Sequence, residues 1–170
     1  MRAARRLAFD LDRYAFSTYV VELIDSMVEG READAAIFDL VDQTLARIDT
    51  SAAAPVADWL RAFEVRLLTL AGLEPRLDRC ARCQRLPDDV AGFHFNPRTG
   101  TMACGECADG GGLSVSRAAL RYLADLKNGA VETAHLAGAG EVRVLLQTFI
   151  AHHVRRPLRS PALLREILGM

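Results

Sequence analysis

The chain has no cysteine to spare: its only four stand as two close pairs, Cys80 with Cys83 and Cys104 with Cys107. Aromatic residues are scarce, 6% of 170 with a single tryptophan, and the net charge is only −1, so bulk charge predicts no polyanion partner. No run of 18 or more uncharged apolar residues occurs, hence no membrane span is expected. The basic start, Met1 to Arg6, leads into no apolar signal core, so a reducing cytoplasm is the expected compartment. Also missing are GxxxxGK[ST], GxSxG and HExxH. Gly138-Ala139-Gly140 and the glycines 110–112 lack the strand context of a dinucleotide site. With the cysteines assigned to metal no thiol nucleophile remains, and the expectation is a protein that is not an enzyme.

What is present begins with those cysteines. Cys80-Ala81-Arg82-Cys83 and Cys104-Gly105-Glu106-Cys107 are two CxxC knuckles at zinc-ribbon separation. Each two-residue gap lets both thiolates of a tight turn reach one ion, and two such turns complete a tetrahedron. Gly92-Phe93-His94-Phe95 alternates like a strand, Asn96 to Gly100 supplies turn residues, and Thr101-Met102-Ala103 returns to the second knuckle. Two disulfides or an iron–sulfur cluster would use the same four sulfurs. A reducing compartment and paired knuckles around a hairpin favour structural Zn2+ on Cys80, Cys83, Cys104 and Cys107. Four thiolates leave no open position for water, so a catalytic zinc is not expected. His94 reads as a surface residue rather than a ligand.

Elsewhere the apolar spacing is helical. Helices are expected over about 12–29 (Asp12 as N-cap, Gly30 as stop), 34–48, 56–71, 117–127 (capped by Ser116) and 141–154, with a last short one opened by Ser160-Pro161. The expected buried stripes include Tyr14, Phe16 and Tyr19 in the first, Ile37, Phe38, Val41, Leu45 and Ile48 in the second, and Trp59 in the third. The fourth packs through Leu120, Leu123, Ala124 and Leu126, and the fifth through Val142, Leu145, Leu146, Phe149 and Ile150. The fold class is therefore mainly α: a helical bundle of about six helices with an inserted four-cysteine, zinc-ribbon-like β-hairpin. The expected division is 1–77 plus 114–170 for the bundle and 78–113 for the insert.

Charge is unevenly spread. Residues 10–49 hold ten acids against Arg13, Arg31 and Arg47, whereas 143–165 hold Arg143, Arg155, Arg156, Arg159 and Arg165 with no acid. His152, His153, Arg155, Arg156, Arg159 and Ser160 cluster where one helix ends and the next begins, and the Ser160 helix start offers N–H groups to an anion. This cluster is the candidate site for DNA phosphates or an acidic peptide. Arg76, Arg79, Arg82 and Arg85 form a possible second basic patch beside the first knuckle. A solvated face explains a charge run equally well.

The order of these features resembles the C-terminal part of the bacterial RecO recombination-mediator family. The carriers are Arg13-Tyr14-Ala15-Phe16 with Glu22-Leu23, Phe63 to Leu68 followed by Gly72-Leu73-Glu74-Pro75, the cysteines, and the tail His152-His153, Arg159-Ser160, Leu163-Leu164. The resemblance implies a helical domain with an embedded zinc site, acting in DNA repair and recombination. Its implied partners are DNA, single- and double-stranded, the acidic, apolar-ended tail of single-stranded-DNA-binding protein, and RecR, with RecA loading as the outcome. The family normally opens with an oligonucleotide-binding barrel that this stretch of sequence does not show; if the barrel is truly absent, DNA binding is expected to be weaker and RecR contacts made through the barrel to be lost. The alternative expectation is a zinc-ribbon helical scaffold that binds only protein partners through apolar grooves.

Overall fold

The computed structural model describes residues 10–28, 34–52, 57–129 and 137–168. It is mainly α, with six described helices: α1 Leu11–Met27, α2 Ala35–Thr50, α3 Ala57–Leu70, α4 Arg117–Lys127, α5 Ala139–His153 and α6 Ser160–Leu168. Between α3 and α4 lie three short strands, β1 Phe93–Asn96, β2 Thr101–Cys104 and β3 Leu113–Val115. By contact the chain forms two compact units whose boundary falls within α3, between Phe63 and Glu64; the second ends at His153, and Val154 onward returns to the first. This grouping by contact is a different partition from the division by element type into a helical body and a 78–113 insert. The expected stop at Gly30 lies outside the described residues.

In the first unit, α1 packs against α2 and α6. Asp10, rather than Asp12, caps α1: its carboxylate accepts from the amides of Asp12 and Arg13, at 3.1 and 3.2 Å. The buried face is Ala15, Phe16, Tyr19, Val20 and Leu23, at helical spacing. Tyr14 is 54% exposed, because two residues from Phe16 is nearly the opposite side of a helix. In α2 the buried residues are Ile37, Leu40 and Ile48, while Phe38 stands 68% exposed. Ile37 and Ile48 are thus buried as expected, Val41 and Leu45 are half-buried, and Leu40 takes the place expected for Phe38. Trp59 is half-buried, not core, and Arg47 lays its guanidinium over the indole at 4.6 Å. Arg13 is buried and donates to Asp10 and to the carbonyls of Ile48 and Ser51, so one cation tethers the end of α2 to α1.

The second unit is built on a sheet of order β2-β1-β3, all antiparallel. The hairpin is as expected, but the third strand is not: Leu113-Ser114-Val115 is too short to show a period. Gly112 makes that strand possible. It sits at φ +109°, and a Cβ there would lie 2.7 Å from the Phe95 carbonyl oxygen. Phe93, Phe95, Met102, Cys104 and Val115 are buried on one face. Phe95 meets Phe149 of α5 edge-on at 5.7 Å, and α5 buries all five expected residues. In α4 Leu123 and Leu126 are buried as expected, together with Ala119 and Tyr122, which the expected stripe omitted, whereas Ala124 is exposed. Ser116 caps α4 as expected, accepting from the Ala119 amide, and is itself held by Glu141 of α5, whose carboxylate takes the Ser116 amide at 2.7 Å and hydroxyl at 2.8 Å.

Candidate metal centre

The two knuckles are shaped by backbone before any ion is considered. In the first, the Cys80 amide donates to Arg85 O and the Gln84 amide to Cys80 O, closing a turn that holds Gln84 at φ 64°. In the second, the amides of Cys107 and Ala108 both donate to Cys104 O. Ala81 N donates to Met102 O, which fastens the first knuckle to β2. The Cys104 amide lies 3.4 Å from Cys80 Sγ, a backbone donor suited to a thiolate.

The four sulfurs lie within 4.8 Å of one another, and Cys83 Sγ is 3.6 Å from Cys104 Sγ. A disulfide would need about 2.05 Å, whereas thiolates around one zinc at about 2.3 Å stand roughly 3.8 Å apart. The donor set therefore fits a tetrahedral ion. Cys80 and Cys104 are buried, Cys107 is half-buried and Cys83 exposed. Electrostatics supports a common cation. Burial pushes the Cys80 thiol up, but the amides of Cys83, Cys104 and Arg82 outweigh it and bring it down to about 6. Cys107, hydrogen-bonded to the other sulfurs, is pushed up to about 12. A first thiolate forms easily while hydrogen bonds to the other sulfurs hold the last proton, and a bound cation favours the thiolate form of all four. His94 lies outside the cluster.

Around the sulfurs runs a crossed pair of ion bridges. Arg82, two residues after Cys80, grips Asp109, two residues after Cys107, with Nη1 to Oδ1 at 2.9 Å and Nη2 to Oδ2. Arg85, two after Cys83, grips Glu106, two after Cys104, with Nη1 to Oε1 at 3.0 Å and Nη2 to Oε2. Each knuckle thus presents charges at the same two offsets, both basic in the first and both acidic in the second. The arginine side chains hold the Glu106 and Asp109 carboxyls below the ordinary range. The Arg85 amide, and then its side chain, lower Cys83. Sequence reading saw these arginines as a basic patch; the matched offsets of Glu106 and Asp109 were the signal for a clamp. Arg79 is likewise paired, with Asp78 at 2.7 Å, and Arg76 donates its amide to Gly100 O.

The second candidate cluster is divided between the units. His153 lies on α5 with a ring nitrogen 2.8 Å from Phe149 O, and His152 beside it is exposed. In the first unit Arg155, Arg156 and Arg159 are exposed, and Arg156 pairs with Asp25 of α1. The N–H groups at the start of α6 are not open to a ligand: Glu22 of α1 accepts from the amides of Arg159 and Ser160 and from the Ser160 hydroxyl. The anion that the helix start attracts is supplied by the chain itself.

Six described helices, with a small sheet that carries a four-thiolate centre in the second unit, define a mainly helical protein of the metal-knuckle type. The family described as "Recombination protein O C terminal" matches residues 8–162, and the chain belongs to it. Among curated relatives, DNA repair protein RecO of Anaeromyxobacter dehalogenans strain 2CP-C is 36% identical, covering 98% of this chain and 67% of the relative. The protein of that name from Roseiflexus sp. strain RS-1 is 31% identical over 97% of this chain and 60% of its own length. That from Moorella thermoacetica is 32% identical over 94% and 61%. The chain thus spans about 60 to 67% of the length of these relatives. Among the described residues no helix is long and apolar enough to cross a membrane.

Proposed function

We propose that the chain is a non-enzymatic, cytoplasmic DNA repair and recombination mediator. It binds DNA and the acidic tail of single-stranded-DNA-binding protein, and acts with RecR to help load RecA. The observation that carries this reading is the family match along residues 8–162. The four-sulfur cluster supports the accompanying structural role: a zinc ion on Cys80, Cys83, Cys104 and Cys107 anchors the knuckles, supplying folding energy where aliphatic side chains are few.

Arg155, Arg156 and Arg159, with His152 and His153 nearby in sequence, are the proposed contacts for DNA phosphates or the acidic tail. Their exposure supports this, and the Arg156 bridge to Asp25 is a surface pair in which a phosphate can replace the carboxylate at little cost. The test is the Arg155→Ala/Arg156→Ala/Arg159→Ala variant titrated with single-stranded DNA, double-stranded DNA and an acidic, apolar-ended peptide. Weaker binding of at least one is expected; unchanged affinity for all three removes the cluster from the function.

A second reading, a scaffold that meets only protein partners, has its own support. A groove of about 430 Å³ is lined by Val65, Leu68, Leu77, Leu120, Leu123 and Leu146. Binding there depends little on salt, whereas DNA binding falls steeply as salt rises.

A further inference from the structure

The hairpin has a second face, opposite the buried Phe93 and Phe95. Along β1 burial alternates, Phe93 and Phe95 inward, His94 and Asn96 outward. His94 is on the central strand, and its partners in register are small: Ala103 on β2 and Ser114 on β3. No bulky neighbour in register covers the imidazole. His94 lines two adjacent cavities of about 500 and 470 Å³, the first also bordered by Cys104 and the second by Cys107.

The two cavities differ in charge. The first is rimmed by Asp89 and by the Arg85–Glu106 bridge, which suits no anion. The second is rimmed by Arg98, His152 and Arg82, the last neutralised by Asp109. The Arg98 guanidinium and the His94 and His152 rings make no hydrogen bond or ion pair with the described residues. Arg98 is presented by a turn in which Asn96 Oδ1 accepts its amide at 3.0 Å. A half-buried ring bordering both cavities, between small side chains in register and with an unpaired cation on one side only, suits an unstacked base with its phosphate to that side. An acidic peptide would gain nothing from the ring.

We infer that this face binds single-stranded DNA, a base stacking on His94 while Arg98 and His152 take the adjoining phosphate. The inference rests on the DNA-binding reading above and adds a site to it. The test uses the full chain and a single-stranded oligothymidylate carrying one 2-aminopurine, followed by anisotropy and by 2-aminopurine emission at low salt. Binding is expected to quench the emission. His94→Ala is expected to weaken binding about tenfold, the effect of one lost stack, while His94→Phe keeps affinity within about twofold. Arg98→Ala is expected to weaken binding and to reduce the salt slope by about 0.7, the share of one phosphate. Circular dichroism and melting confirm that each variant is folded, and wild-type emission reports stacking without any variant. Binding by the wild type that leaves emission unquenched, or that His94→Ala does not change, overturns this site and leaves the DNA reading standing. Oligoglutamate binding that His94→Ala weakens to the same degree also overturns it, in favour of a peptide. No binding by the wild type overturns the DNA reading and this site together.

Discussion

Glu22 is the residue whose loss reports most directly on how the chain holds its own tail. Its carboxylate accepts from the Arg159 amide at 2.9 and 3.0 Å, from the Ser160 amide at 2.8 Å and from the Ser160 hydroxyl. Ser160 is only 3% exposed, so in Glu22→Ala its amide and hydroxyl lose the carboxylate with little water to replace it. A hydrogen bond to a charged group contributes about 1.5–3 kcal/mol, and an orphaned buried donor costs about as much. An acid at a helix start adds roughly 0.3–1 kcal/mol. The Arg159 amide, beside an exposed residue, recovers water and offsets part of this. The working figure for Glu22→Ala is about 2–4 kcal/mol, which at roughly 2–4 °C per kcal/mol lowers Tm by about 5–15 °C. Glu22→Gln keeps one acceptor and loses the charge, so about half that fall is expected. Asp25→Ala removes only the exposed bridge to Arg156 and is expected to cost under about 1 kcal/mol.

Acid supplies the independent check. Burial raises the Glu22 carboxyl, but the Ser160 hydroxyl, the amides of Arg159 and Ser160 and the Arg156 charge more than offset it, leaving it below its ordinary 4.5. A carboxyl depressed in the folded state contributes stability that is full above its unfolded value and lost as pH falls through its folded value. The gap in Tm between wild type and Glu22→Gln is therefore expected to be constant from pH 7 to about 5.5 and to close below the ordinary 4.5. Thermal melting by circular dichroism at a series of pH values measures both effects. Glu22→Ala within about 0.5 kcal/mol of wild type, or a gap to Glu22→Gln that persists to about pH 3, refutes the account.

The remaining predictions concern the sulfur centre. Cys104→Ser, or a strong chelator on the wild type, is expected to lower Tm and release zinc to a chromogenic dye; equal stability with and without metal rules out a structural ion. Arg85→Glu is expected to speed metal release to the dye by setting two carboxylates together beside Cys83, and Arg85→Glu/Glu106→Arg to restore the slow rate. A double variant as fast as the single one means the crossed bridges do not steady the knuckles.

Much of the architecture was legible because it depends on neighbours in sequence. Helix periods, the Ser116 cap, the five buried residues of α5 and the four sulfurs are all set within a few residues of one another, apart from the span between the knuckles. What escaped was of two kinds. In α2 Phe38 was expected inside and Leu40 was not, because Ile37, Phe38 and Leu40 offer two apolar lines, and only packing selects Ile37 with Leu40. Strand β3 was missed because Leu113–Val115 pairs through its backbone with β1, about twenty residues away.

The other kind concerns charge, and it moves the search for a ligand site. The sequence shows acids early and bases late, a polarity that invites a binding surface. In the folded chain part of it is spent internally, Glu22 on the start of α6 and Asp25 on Arg156, and the knuckle arginines Arg82 and Arg85 likewise face Asp109 and Glu106. An arginine already facing a carboxylate gains from a phosphate only the difference between two similar attractions, so a charge run overstates affinity wherever its partners lie far off in sequence. Arg98 belongs to neither run, yet its guanidinium bonds to none of the described residues and lines the same cavity as the half-buried His94 imidazole. Isolation from acids, more than local density of bases, marks the cation with most to gain from a nucleic-acid phosphate.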